Sequence, residues 1–249
     1  MTPTLLAVAH GSRDRRGAAA VEALLDRVRA LRPGLPVRLA YVELAAPLLP
    51  DVLAELDGDP AVVVPLLLAA GYHTKADIRG RVPAGTPVAP ALGPHPLLAR
   101  ALAGRLRGAG WRPGEPVVLA AAGSGDGESV AAARTTARLL TGLTGSPAVA
   151  AFAASARPGI PAAVTALRAR YPGQRVAVAA YLIAPGRFAD AVAAVPADVR
   201  GEPLGAHDAV AALVLRRYDE AWRYACAPRP DVRPWSASDL SVLAAAAHS

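Results

Sequence analysis

Short runs of Val, Leu and Ala alternate along the chain with longer stretches whose apolar residues recur at helical spacing, which predicts strands and helices in strict succession. Leu5 to Ala9 predicts a first strand. Val21, Leu24, Leu25, Val28 and Leu31 then share one helical face until Pro33-Gly34 ends it. Val37 to Val42 predicts a second strand, and Pro47 opens a helix with Leu49, Val52, Leu53 and Leu56 on its apolar face. Val62 to Leu68 predicts a third strand, Val88 to Leu92 a fourth, and Pro96 to about Gly108 a closing helix. Strands that read as near-continuous apolar runs between helices belong to a parallel sheet covered on both faces.

From Pro116 the order starts again, and the correspondence extends to single residues. Leu6 to Asp14 matches Val118 to Asp126, Tyr41 to Pro47 matches Phe152 to Pro158, Leu67 to His73 matches Leu182 to Phe188, and Leu92 to His95 matches Leu204 to His207. The expected architecture is therefore α/β, with two tandem (βα)4 domains built on four-stranded parallel sheets, residues 1–112 and 113–227, followed by a Pro/Ala/Ser-rich tail, 228–249.

Composition narrows the function classes. The longest apolar run, Ala61 to Ala70, contains Pro65 and is about half of the ~20 residues a membrane helix needs. No secretory signal precedes the first strand, so a cytoplasmic protein without a membrane partner is expected. The single cysteine, Cys226, excludes an internal disulfide framework and a Cys-rich zinc site, so a metal would need His, Asp or Glu. A net charge of +7 favours an anionic partner. Scarce aromatics and scattered arginines argue against nucleic acid and for a small polyanion.

Comparing the two copies separates scaffold from chemistry. Gly11, Ser12, Asp14, Pro47, Gly71 and His95 recur in the second copy, which assigns them to turns and helix entry. His10, Glu43 and His73 do not recur; their counterparts are Ala122, Ala154 and Phe188. Each lies at or just past the carboxyl end of a predicted strand, the edge where open α/β sheets bind ligands. Two neutral imidazoles and a carboxylate make an open site for a borderline divalent metal such as Fe2+, Co2+, Ni2+ or Zn2+. Arg13 and Lys75 flank the same loops and, with Ser12, are the expected contacts for ligand carboxylates.

At these residues the chain resembles the sirohydrochlorin chelatase group of class II chelatases, which are similar to ferrochelatase in fold. The matching pieces are Ala9-His10-Gly11-Ser12-Arg13, Glu43 with Pro47, Pro65 to Leu68 leading to Gly71-Tyr72-His73 and Asp77-Ile78, and Leu92-Gly93-Pro94-His95. The resemblance implies insertion of Fe2+ or Co2+ into sirohydrochlorin, for siroheme or cobalamin, with no organic cofactor and with Ni2+ or Zn2+ as surrogate metals. It places the metal-binding and catalytic residues at His10 and His73, the acidic helper at Glu43, and substrate contacts at Ser12, Arg13, Gly71, Tyr72 and Lys75. It further implies a cleft between two facing domains; the second, without His or Glu at the matching positions, is expected to supply a wall and carboxylate contacts, for which Arg157 and Arg187, beside the degenerate positions, are the candidates. A monomer suffices for that cleft, a homodimer being the alternative. Two other functions fit part of this pattern: a non-catalytic metal or tetrapyrrole carrier, and a histidine-phosphatase-like enzyme, whose phosphate-clamping arginine is replaced here by Ala9.

Overall fold

The computed structural model describes residues 2–69, 78–123 and 125–227. In the first repeat β1 (Thr4–Ala9), α1 (Arg15–Leu31), β2 (Val37–Tyr41), α2 (Leu49–Leu56), β3 (Ala61–Pro65) and α3 (Pro96–Gly108) follow in order. The second repeat contributes β4 (Val117–Ala121), α4 (Gly127–Thr144), β5 (Ala148–Phe152), α5 (Ile160–Arg170), β6 (Ala177–Tyr181), α6 (Arg187–Ala193), β7 (Val199–Gly201) and α7 (Asp208–Cys226). Both sheets are parallel, in the orders β2-β1-β3 and β5-β4-β6-β7. None of the described helices is long and apolar enough to cross a membrane.

The registers confirm the duplication residue by residue. Ala9 pairs with Tyr41 as Ala121 pairs with Phe152, and Val8 pairs with Pro65 as Ala120 pairs with Ala180. The helix entries repeat as well. The Asp14 carboxylate caps α1 by accepting from the Arg16 N–H, and Asp126 caps α4 by accepting from Glu128 and Ser129.

The expected fourth strand of the first repeat shrinks to a single bridge, Val63 to Val88, so that sheet has three strands. The Val63 N–H donates to the Pro87 carbonyl and the Ala89 N–H to the Val63 carbonyl, both at 2.8 Å. Pro90 follows and has no N–H to extend the ladder. In the second repeat Val199–Gly201 carries no proline and forms the full edge strand β7.

Strand alternation divides the molecule into layers. Leu5, Ala7 and Ala9 of β1, with Val117, Leu119 and Ala121 of β4, face a common core that also holds the buried faces of α1, α3, α4 and α7. The opposite faces are covered separately: Leu6 and Val8 pack under α2, and Val118 and Ala120 under α5. The last helix of each repeat reaches across the middle layer. Helix α3 packs on α4, β6 and β7, while α7 packs on α1 and β3. Each repeat therefore lends its closing helix to the other's sheet, and the two inner sheet faces share one core.

Candidate functional site

The chain leaves the sheet at Ala9, the end of β1, and β1 is the central strand of its sheet. Successive connections run to opposite sides of it, first to β2 and then back to β3, so the loop carrying His10 stands at the switch point where a crevice opens. The Val42 N–H donates to the Ala9 carbonyl at 2.9 Å and the Glu43 N–H to the His10 carbonyl at 3.0 Å, tying the loops after β1 and β2 together. Gly11, with φ of 102°, lies so close to the second loop that a Cβ would sit 1.7 Å from the Glu43 carbonyl oxygen. Only glycine permits that approach. The two side chains predicted to act together then meet, with His10 Nε2 3.2 Å from Glu43 Oε1.

The second repeat builds the same frame without the histidine and the glutamate. The Ala153 N–H donates to the Ala121 carbonyl at 3.0 Å and the Ala154 N–H to the Ala122 carbonyl at 2.8 Å, and Gly123 turns with φ of 81°. Methyl groups occupy the places of the imidazole and the carboxylate.

A cavity of about 1330 Å³ opens between the repeats at these loop ends. His10, Ser12 and Arg13 line it from the first repeat, along with Leu44 and Leu66 to Ala69. Phe152, Ile183 and Phe188 supply apolar wall from the second repeat, with Arg187 beside them. Glu43 reaches His10 from beside the cavity and is not itself part of the wall. The Ser12 hydroxyl accepts from the Asp14 N–H at 3.0 Å, which holds the loop as it enters α1. Arg16 bridges the repeats next to the cavity, donating to Asp14 at 2.7 Å and to Asp190 of α6 at 2.8 Å. Apolar walls of this size suit a large flat ligand, and the arginines and imidazole among the lining residues suit carboxylates and a metal.

His73, Gly71, Tyr72 and Lys75 lie outside the described residues. Among the described residues no three or more His, Cys, Asp or Glu side chains converge as a metal cluster. Of the two second-repeat arginines, Arg187 lines the cavity and stacks over the Phe188 ring at 4.7 Å. Arg157 does not; it faces a separate groove with Arg134 and Ser155.

His95 and His207 are helix caps, as their recurrence implied. Each accepts at Nδ1 a backbone N–H two residues on, from Leu97 and Ala209, both at 3.1 Å. Burial pushes both imidazoles below the ordinary histidine range, with Arg217 adding to it at His95 and Arg105 at His207. An accepting Nδ1 requires the neutral ring in its Nε2–H tautomer, so the shift and the cap agree.

Two wall residues carried no signal in the residue pattern. Tyr181 reads as an ordinary strand end, yet its hydroxyl meets the Leu68 carbonyl of the other repeat across the cavity floor at 3.1 Å. Leu44 reads as a loop residue, and only the folded backbone turns it into the cavity.

A sequence model of the CbiX family matches residues 4–109 and again residues 116–221. SirB from Bacillus subtilis with Fe3+ superposes with a TM-score of 0.74 at 22% identity, over 90% of this chain and 97% of its own. The sirohydrochlorin chelatase SirB from Bacillus subtilis subspecies spizizenii, in complex with cobalt, gives 0.72 at 20% identity over the same shares, 90% and 97%. CbiX, the terminal enzyme for biosynthesis of siroheme in denitrifying bacteria, gives 0.66 at 23% identity over 88% of this chain and 99% of its own. No curated protein sequence matches. At these identities the superpositions establish a shared fold.

Proposed function

The chain belongs to the CbiX family, and from that premise we propose that it is a metal chelatase that inserts a divalent ion, Fe2+ or Co2+, into sirohydrochlorin. The observation that carries the reading is the His10–Glu43 pair, 3.2 Å apart, on a backbone frame that the second repeat reproduces with Ala122 and Ala154 in their places. A frame built twice and armed once supports assigning the chemistry to the first repeat. The fold relatives support the choice of reaction: one is a sirohydrochlorin chelatase seen with cobalt, and another is the terminal enzyme of siroheme biosynthesis.

The reaction exchanges two pyrrole N–H protons for one dication, so it needs a group that presents the ion and a group that takes protons away. His10, together with His73, holds the ion as a neutral imidazole. Glu43 either shares the ion or accepts a proton released from the ring. The apolar walls hold the macrocycle, while Arg13, Arg187, Lys75 and the Ser12 loop meet its carboxylates, with Gly71 and Tyr72 completing the substrate loop. One chain supplies both walls, so the active unit is a monomer, with domains at residues 1–112 and 113–227.

The test is an anaerobic assay of purified protein with sirohydrochlorin and Fe2+ or Co2+, followed by absorbance. The wild type accelerates metal insertion, and H10A and H73A lose about 100-fold or more. A wild-type rate equal to the uncatalysed one, in a protein that still binds the tetrapyrrole, would make it a carrier and overturn the chelatase reading.

A further inference from the structure

Among the described residues, Leu44 and Asp57 are the only non-glycine residues with positive φ. Asp57 ends α2, where a left-handed residue is ordinary. Leu44 has no such reason. A γ-branched apolar side chain at φ of 64° is strained, and such strain persists only where the surroundings impose it. They do so here. The Ala45 N–H closes a three-residue turn onto the Glu43 carbonyl at 2.8 Å, the Glu43 N–H is held by His10, and the same Glu43 carbonyl rests against Gly11.

The second repeat shows what the unstrained alternative does. Its residue at this position is Ser155, which has no positive φ and lines the separate groove with Arg157. Leu44 instead lines the cavity between the repeats, beside His10. The matching position thus lines a different cavity in each copy, and the left-handed backbone at Leu44 distinguishes the two. Leu44 is also 49% exposed, an uncommon fate for a large apolar side chain whose backbone is already strained.

We propose that Leu44 is the apolar platform on which one face of the bound tetrapyrrole rests, aimed into the cleft beside the metal-presenting histidine by its left-handed backbone. This rests on the chelatase reading for its ligand, a large flat ring with carboxylates at its edge. It makes Leu44 a positioning residue: it carries no proton and holds no metal, and it fixes how near the ring face comes to His10.

The experiment compares L44G, which accepts a positive φ and removes the side chain, with L44M, which keeps an apolar reach. Sirohydrochlorin binding is followed by fluorescence without metal, thermal midpoint by circular dichroism, and turnover with Co2+. L44G is expected to weaken tetrapyrrole binding about tenfold, to raise KM by a similar factor, and to keep or raise the thermal midpoint because the strain is relieved. L44M is expected to stay within about threefold of wild type. Wild-type binding by L44G overturns the proposal, and if that variant still inserts metal the chelatase reading stands alone. Equal losses in both variants with a lowered midpoint also overturn it, since they show a purely structural role. Wild-type protein that binds the ring, loses binding in L44G and inserts no metal supports the platform and overturns the chelatase reading. Wild-type protein that binds no tetrapyrrole overturns both.

Discussion

The Tyr181 hydroxyl, at the end of β6 in the second repeat, donates to the Leu68 carbonyl of the first at 3.1 Å and accepts from the Thr136 hydroxyl at 3.2 Å. Gly93 admits this contact, because a Cβ there would lie 2.4 Å from both the Leu68 oxygen and the tyrosine hydroxyl. Burial pushes the phenol up to about 12, so it stays a donor throughout any usable pH range. One hydrogen bond therefore joins the two sheets at the floor of the cleft.

Tyr181→Phe leaves the Leu68 carbonyl without that donor and is expected to cost about 1–2 kcal/mol in urea denaturation. Gly93→Ala forces the same atoms apart and is expected to cost more, about 1–3 kcal/mol from overpacking alone. A Tyr181→Phe protein as stable as wild type would show that this bond does not hold the sheets.

Stability is expected to fall on mild acidification through the two histidine caps. His95 and His207 both have pKa values lowered in the folded state, so the native protein binds fewer protons at these sites than the unfolded chain. Their contribution is fully present above the unfolded value of ~6.5 and is lost as pH falls through the folded values below it. Losing a cap costs about 1 kcal/mol each. Asparagine keeps an accepting oxygen and does not titrate, so the double variant H95N/H207N should show a flatter denaturation midpoint between about pH 5 and 7 than wild type.

Gly11→Ala is expected to abolish metal insertion and to destabilise strongly, because its Cβ would fall 1.7 Å from the Glu43 carbonyl. Gly34→Ala is the matched control: φ there is 84°, and nothing lies within 4 Å of the added methyl. The control bears only the left-handed penalty of about 1 kcal/mol. Chemical denaturation and turnover of the two variants separate collision from backbone strain.

The shared core is expected to hold the repeats together more strongly than the ion pairs that span them. Leu102 of α3 is fully buried in the common middle layer, and Leu102→Ala is expected to cost about 2–5 kcal/mol. Arg16, joined to Asp14 and Asp190, is 59% exposed, and Arg16→Ala is expected to leave the midpoint near wild type in moderate salt. A larger loss in the arginine variant than in the leucine variant would reverse this ranking.

Much of the molecule is legible in the residues alone, wherever the cause is local. The α/β alternation follows from apolar period, and Asp14, Asp126, His95 and His207 cap helices because a side-chain acceptor beside free N–H groups acts within a few residues. The duplication is visible because both copies need the same turns, and the His10–Glu43 pair stands out because Ala122 and Ala154 replace it on the same frame. What depends on distant chain was decided only by folding. Periodicity tells which face of α3 or α7 is apolar but not which sheet will cover it, and both cover the other repeat's sheet. Val88 has the makings of a strand, yet the prolines at 87 and 90 leave it one bridge, while Val199–Gly201 forms a full edge. Leu44 enters the cleft through a backbone angle, and no side-chain pattern encodes that angle. It is set by the packing of two loops, where Gly11, His10 and Glu43 leave the chain no other path.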